Sequence, residues 1–100
     1  MFSSLFKTGP KADIAQLIRE GAIIVDVRTP GEFAAGHPKG AVNIPLDRLV
    51  SGIVKLDKSK TVITCCRSGA RSGVATDLLR QNGFTAHNGG QWTIVDAQAR

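Results

Sequence analysis

Two runs of β-branched and apolar residues constrain this chain most: Ala22–Val27, interrupted only by Asp26, and Thr61–Cys65. A strand with one wet face alternates apolar and polar residues. A continuous run of four to eight is the pattern of a strand buried on both faces. Between and around these runs the spacing is helical. Asp13 can cap a helix that places Ile14, Leu17 and Ile18 on one face and stops at Gly21. Thr29-Pro30-Gly31-Glu32-Phe33-Ala34-Ala35-Gly36 reads as a short helix, with Thr29 as its cap and Pro30 at its first position.

Ala41–Ile44 forms a short strand stopped by Pro45, after which Leu46, Leu49, Val50 and Ile53 give a helical spacing. Arg71–Asn82 is expected to be a helix with Val74, Ala75, Leu78 and Leu79 as its apolar stripe, closed by Gly83. Phe84–His87 makes a last strand, followed by Asn88-Gly89-Gly90 and a terminal helix from about Gln91. Strands separated by helices imply crossover connections. The expectation is an α/β fold of three layers, a mostly parallel sheet with helices on both faces. In such a sheet the carboxyl ends of the strands lie along one edge, where ligands bind. That edge should carry Arg28, Ile44-Pro45, Cys66 with its loop, and Asn88-Gly89-Gly90.

With 100 residues, 42% of them hydrophobic and 21% charged, the chain is expected to be one globular domain over residues 1–100. Met1–Pro10 holds no apolar run longer than two residues, against the roughly 7–15 of a secretory signal. No stretch approaches the ~20 apolar residues of a membrane span, so the expected location is the cytoplasm, without membrane contact. The net charge of +5 comes from 13 basic residues interleaved with acids, and there is no Tyr and one Trp for stacking on bases. Nucleic acid is therefore not the expected partner, and a mild positive field that draws in a small anion is. The only two cysteines, Cys65 and Cys66, are adjacent, and the two His have no metal-ligand spacing. Neither a stapling disulfide nor a metal fits, and no cofactor is implied. What remains is thiol chemistry at one cysteine, or no chemistry at all.

Cys66-Arg67-Ser68-Gly69-Ala70-Arg71-Ser72 runs from a strand end into a helix. A free thiol ionises near a pKa of about 8.5, and its thiolate is the nucleophile. A tight loop opening a helix supplies unpaired amides, a positive helix end and here two guanidinium groups. Gly69 permits the left-handed turn that would aim successive amides at one centre. Cys65, inside the strand, reads as inert core.

This loop resembles the active-site loop of the rhodanese family, Cys-x-x-Gly-x-Arg-Ser, with Cys66, Gly69, Arg71 and Ser72 in register. Upstream, Ile24–Arg28, Glu32-Phe33, Gly36-His37, Gly40-Ala41 and Asn43-Ile44-Pro45 are similar to that family's other motif. Downstream, Asn88-Gly89-Gly90 and Trp92 match its glycine pair after the last strand. The resemblance covers about residues 13–98. Pro38-Lys39 departs from the family's apolar-Pro pair, and the family's first strand is barely visible around Phe6–Thr8.

The resemblance implies a rhodanese-like sheet of four to five strands and a sulfurtransferase. Cys66 would take sulfane sulfur from thiosulfate or a similar small anionic donor as a persulfide, then pass it to a thiol or cyanide. The backbone of Arg67, Ser68, Gly69, Ala70, Arg71 and Ser72 would cradle that sulfur, and the Arg67 side chain would bind the donor's sulfonate. Asp26, Arg28 and Glu32 would support the loop. Arg71 either faces substrate or turns inward to Asp26 or Glu32, with the second arrangement favoured.

Two rivals stand beside this reading. One is a relay module that exchanges persulfide with a partner protein. The other is phosphatase or arsenate-reductase chemistry, because Cys65 and Arg71 have the Cys-x5-Arg-Ser spacing. A loop counted from Cys65 puts Gly69 one place late, and no His precedes either cysteine. His37 is expected to be a turn residue, His87 an exposed one, and Trp92 a pocket wall or a core plug.

Overall fold

The computed structural model describes residues 12–100. The strand sought around Phe6–Thr8 lies outside the described residues. Helix α1 spans Ile14–Arg19, with the Asp13 carboxylate accepting the Gln16 amide as its cap. Strand β1 is Ile23–Asp26, and helix α2 is Pro30–Ala35. Thr29 and Glu32 form the reciprocal cap that the sequence encodes at the start of α2. A two-residue strand, β2 (Val42–Asn43), leads into a 3-10 turn over Leu46–Arg48, helix α3 (Leu49–Gly52) and a second 3-10 turn over Ile53–Lys55. Strand β3 is Val62–Cys66, helix α4 is Ala70–Gln81, strand β4 is Ala86–Gln91 and helix α5 is Trp92–Ala99.

The strands form one sheet in the order β2-β1-β3-β4, parallel throughout. Alternation along β1 and β3 divides the core in two. Val25, Val27, Val62 and Cys66 point to the face covered by α3 and α4, where Leu49, Ile53, Ala75 and Leu79 meet them. Ile24, Ile63 and Cys65 point to the other face, under Val95 of α5 and Leu17 and Ile18 of α1. Three layers with helices on both faces are thus built as the apolar runs require.

Four local expectations are corrected. Cys66 is not past the strand but is its last residue, fully buried and paired in register with Gln91. β4 does not end at His87 but continues through Asn88-Gly89-Gly90 to Gln91. One extra residue is accommodated there, since Thr64 pairs with Asn88 and Cys66 with Gln91. Gly89 sits where a Cβ would come within 2.7 Å of Val95, 2.8 Å of the Thr64 carbonyl and 2.9 Å of Ile63, so close packing in the sheet, not a turn, requires the glycine.

Val50 and Val74, assigned to apolar stripes, are 64% and 53% exposed. Around Val50 the 3-10 turns change the angular phase, leaving Leu49 and Ile53 to the core. In α4 the buried stripe is Ser72, Ala75, Thr76 and Leu79. Its polar members are satisfied inside: Thr64 Oγ1 and Thr76 Oγ1 both donate to the Ser72 carbonyl or to each other, at 2.8–3.0 Å. Ser72 and Thr76, outside the expected apolar stripe, therefore face the sheet.

Candidate active site

At the carboxyl end of β1, Asp26 is wholly buried and Arg28 nearly so. The pair is bidentate, Nε to Oδ1 at 2.9 Å and Nη2 to Oδ2 at 2.7 Å, and the Arg28 amide also donates to Oδ1 at 3.0 Å. The guanidinium reaches the Gly36 carbonyl at 2.6 Å and lies 4.7 Å from the centre of the Trp92 ring. Hydrogen bonding to Asp26 outweighs burial and raises the Arg28 guanidinium above its ordinary value. One ion pair thereby ties β1, the end of α2 and the start of α5 together. Asn43 Nδ2 adds β2, donating to the carbonyls of Asp26 and Arg28 at 2.9 Å each.

Glu32, on α2, receives both guanidinium nitrogens of Arg71, at 2.8 and 3.1 Å. Those bonds first, and the Thr29 amide second, pull its carboxyl down to about 2. Arg71 is therefore engaged with Glu32 and not with Asp26, whose charge is already met by Arg28. The Arg71 stem lines a shallow groove with Val27, Thr29, Pro45 and Leu46.

Cys66 closes β3, and the chain turns through Arg67, Ser68 and Gly69 into α4. Gly69 adopts φ +99°, the left-handed conformation expected of it, and this turns its amide back toward the strand end. The Gly69 amide donates to Cys66 Sγ at 3.0 Å and the Ser72 amide at 3.4 Å, while Ser72 Oγ lies 3.3 Å from the sulfur. Burial pushes the thiol up. Against it act the Ser72 side chain and the amides of Ser72, Gly69 and Ser68, and the net effect holds Cys66 below an ordinary thiol. These donors, at the start of a twelve-residue helix, therefore ease loss of the thiol proton. The amides of Arg67, Ala70 and Arg71 make no hydrogen bond to Sγ among the described residues. The Arg67 side chain is exposed and forms no ion pair among the described residues.

Cys65 faces the opposite side of the sheet, fully buried, and burial pushes its thiol up to about 12. It cannot begin the loop, so the loop has the Cys66–Arg71 length and not the longer one counted from Cys65. Trp92 packs on that same far face, as a core plug. His37 stacks on Phe33, ring centres 3.8 Å apart, with Nδ1 2.8 Å from the Phe33 carbonyl, a local role at the end of α2. His87 is half-buried beside Ile14 and Ile94, away from the sulfur. Among the described residues no three His, Cys, Asp or Glu gather to hold a metal, and no helix is long and apolar enough to cross a membrane.

Sequence reasoning missed the role of Asn88. Its Nδ2 donates to the Gly69 carbonyl at 3.0 Å, and its Oδ1 accepts the Ser72 hydroxyl at 2.6 Å and the Gly90 amide at 2.9 Å. The clue was its place ahead of two glycines at a strand end, but nothing in linear spacing links it to Ser72.

A family model for the rhodanese-like domain matches residues 11–95. The chain is 44% identical over 64 residues to the uncharacterized protein YqhL of Bacillus subtilis, covering 64% of this chain and 51% of that one. It is 38% identical over 63 residues to the thiosulfate sulfurtransferase PspE of Escherichia coli, covering 61% of each. This chain thus spans about half to three-fifths of the length of these curated relatives. The human single-domain sulfurtransferase TSTD1 superposes with a TM-score of 0.67 at 28% identity, over 80% of this chain and 88% of that one.

Proposed function

Since this chain belongs to the rhodanese-like domain family, a family of sulfurtransferases, we propose that it carries sulfane sulfur on Cys66. The donor is thiosulfate or a related small anion, and the acceptor is a thiol or cyanide. The Cys66 thiolate attacks the outer sulfur of thiosulfate. The S–S bond of the donor breaks, sulfite departs with its electron pair, and a Cys66 persulfide remains. An acceptor nucleophile then takes the outer sulfur and returns the thiolate.

The observation that carries this reading is the convergence of the Gly69 and Ser72 amides on a buried sulfur at the start of α4. The same donors that favour S⁻ suit a persulfide, which bears its charge one atom further out. Arg67 supplies the cation for the sulfonate, because Arg71 is already paired with Glu32. Sulfite is a good leaving group, so no acid–base pair is needed, and Asp26, Arg28 and Glu32 act by holding the loop.

Intact mass spectrometry tests it. Incubation with thiosulfate should add about one sulfur atom, ~32 Da, removable by cyanide and absent in Cys66→Ser. Loading in the serine variant would sink the assignment. Loading from a persulfide-bearing protein but not from thiosulfate would make the chain a relay module.

A further inference from the structure

We infer that Asn88 is a positioning residue for the Cys66 loop, holding the single hydroxyl proton of Ser72 away from the sulfur. The inference rests on Cys66 being the reacting thiol. It follows from counting donors and acceptors. Asn88 is fixed in orientation, because Oδ1 meets the Gly90 N–H at 2.9 Å and Nδ2 meets the Gly69 carbonyl at 3.0 Å. Reversing the amide would set donor against donor and acceptor against acceptor. Ser72 Oγ, 2.6 Å from Oδ1, must then be the donor of that bond.

A hydroxyl has one proton. While it lies on Asn88, Ser72 turns lone pairs toward Cys66 Sγ at 3.3 Å. That suits a thiol, whose S–H can donate to Oγ, and it opposes a thiolate. When the thiol proton leaves to solvent, the Ser72 hydroxyl turns from Oδ1 to the sulfur. Sγ then gains the hydroxyl as a donor beside the Gly69 and Ser72 amides, and Oδ1 keeps only the Gly90 amide. Asn88 therefore favours the resting thiol and sets how readily it ionises. The charged groups nearest this centre are Arg67 and Arg71 of the loop and α4, the latter paired with Glu32 of α2, and Asp26 of β1, paired with Arg28; the side-chain partners of Asn88 are instead Ser72, Gly69 and Gly90. Cys65 adjoins on the other face.

The test is the pH profile of iodoacetamide alkylation, with Cys66 resolved from Cys65 by fragmenting the 61–67 peptide, and with circular dichroism confirming the fold. Asn88→Ala should lower the midpoint by roughly half to one pH unit, the scale of one neutral hydrogen bond. In a Ser72→Ala background the same change should leave the midpoint where it was. No shift, or equal shifts in both backgrounds, overturns the inference. If Asn88→Ala does not fold, Asn88→Asp keeps size and acceptor while gripping the hydroxyl proton harder. Its midpoint should rise more with Ser72 present than absent, and an equal rise overturns the inference. Alkylation needs no sulfur donor, so a chain that alkylates as expected yet never gains sulfur would refute only the proposed transfer.

Discussion

Arg71 and Glu32 decide between two uses of a guanidinium. Both side chains are about one-third exposed, so their pair is screened and is a weak stabiliser. Its effect is geometric, fastening α2 to the loop and keeping one cation off the sulfur. The carboxyl is held at about 2 in the folded protein against an ordinary 4.5. A depressed carboxylate contributes stability that is complete above its unfolded value and is lost as pH falls through its folded one. Acid titration should therefore show a decline between about 4.5 and 2 that Glu32→Gln reduces. The same variant frees Arg71 toward the proposed anion site, so the KM for thiosulfate should fall, while the neutral-pH melting temperature drops only by the small amount that the lost acid decline represents. An unchanged KM with a large loss of stability would reverse the roles given to this pair.

Among the elements, those with local signals were legible and those set by distant contacts were not. The cap at Thr29-Pro30-Gly31-Glu32 is a self-contained device, and α2 begins where it says. β1 and β3 declare themselves because burial on both faces admits little but β-branched and apolar residues. β4 does not, since Asn88-Gly89-Gly90 has the composition of a turn and is held in the sheet by Thr64, Ile63 and Val95 from elsewhere in the chain. The clamp of Asn88 on Ser72 is hidden for the same reason, as sixteen residues and a helix separate partners that touch only after β3 and β4 pair. The loop motif from Cys66 to Ser72 was readable because its chemistry is local, a glycine turn followed by a helix start. These contrasts make a prediction. Gly89→Ala drives a Cβ into the Thr64 carbonyl and should cost roughly 1–3 kcal/mol in denaturant unfolding, as overpacking does. Gly31→Ala, in α2 with open space around it, should be neutral or stabilise by up to about 1 kcal/mol. Equal effects at the two positions would mean that β4 is not held as close as described.

For the whole molecule, the Asp26–Arg28 pair is the point where the layers meet. It lies at the carboxyl edge of β1, one of the two inner strands, hydrogen-bonded to the end of α2, stacked on Trp92 of α5 and flanked by Asn43 of β2. Burying two charges costs desolvation that their attraction only roughly offsets, whereas removing one partner leaves the other uncompensated. Asp26→Asn should thus cost about 3–5 kcal/mol, a large part of the ~5–15 kcal/mol that holds an ordinary domain folded. Arg28→Met should cost a similar amount by stranding the carboxylate. The combined Asp26→Leu/Arg28→Met variant should be more stable than either single variant, because no buried charge remains. Chemical denaturation of the three proteins measures this ordering. If the pair only braces the edge, the double variant should still alkylate at Cys66 with a near-normal pH profile, since no atom of either side chain touches the sulfur. If the pair instead supplies the field that favours the thiolate, stability would return in the double variant and the acid shift of Cys66 would not.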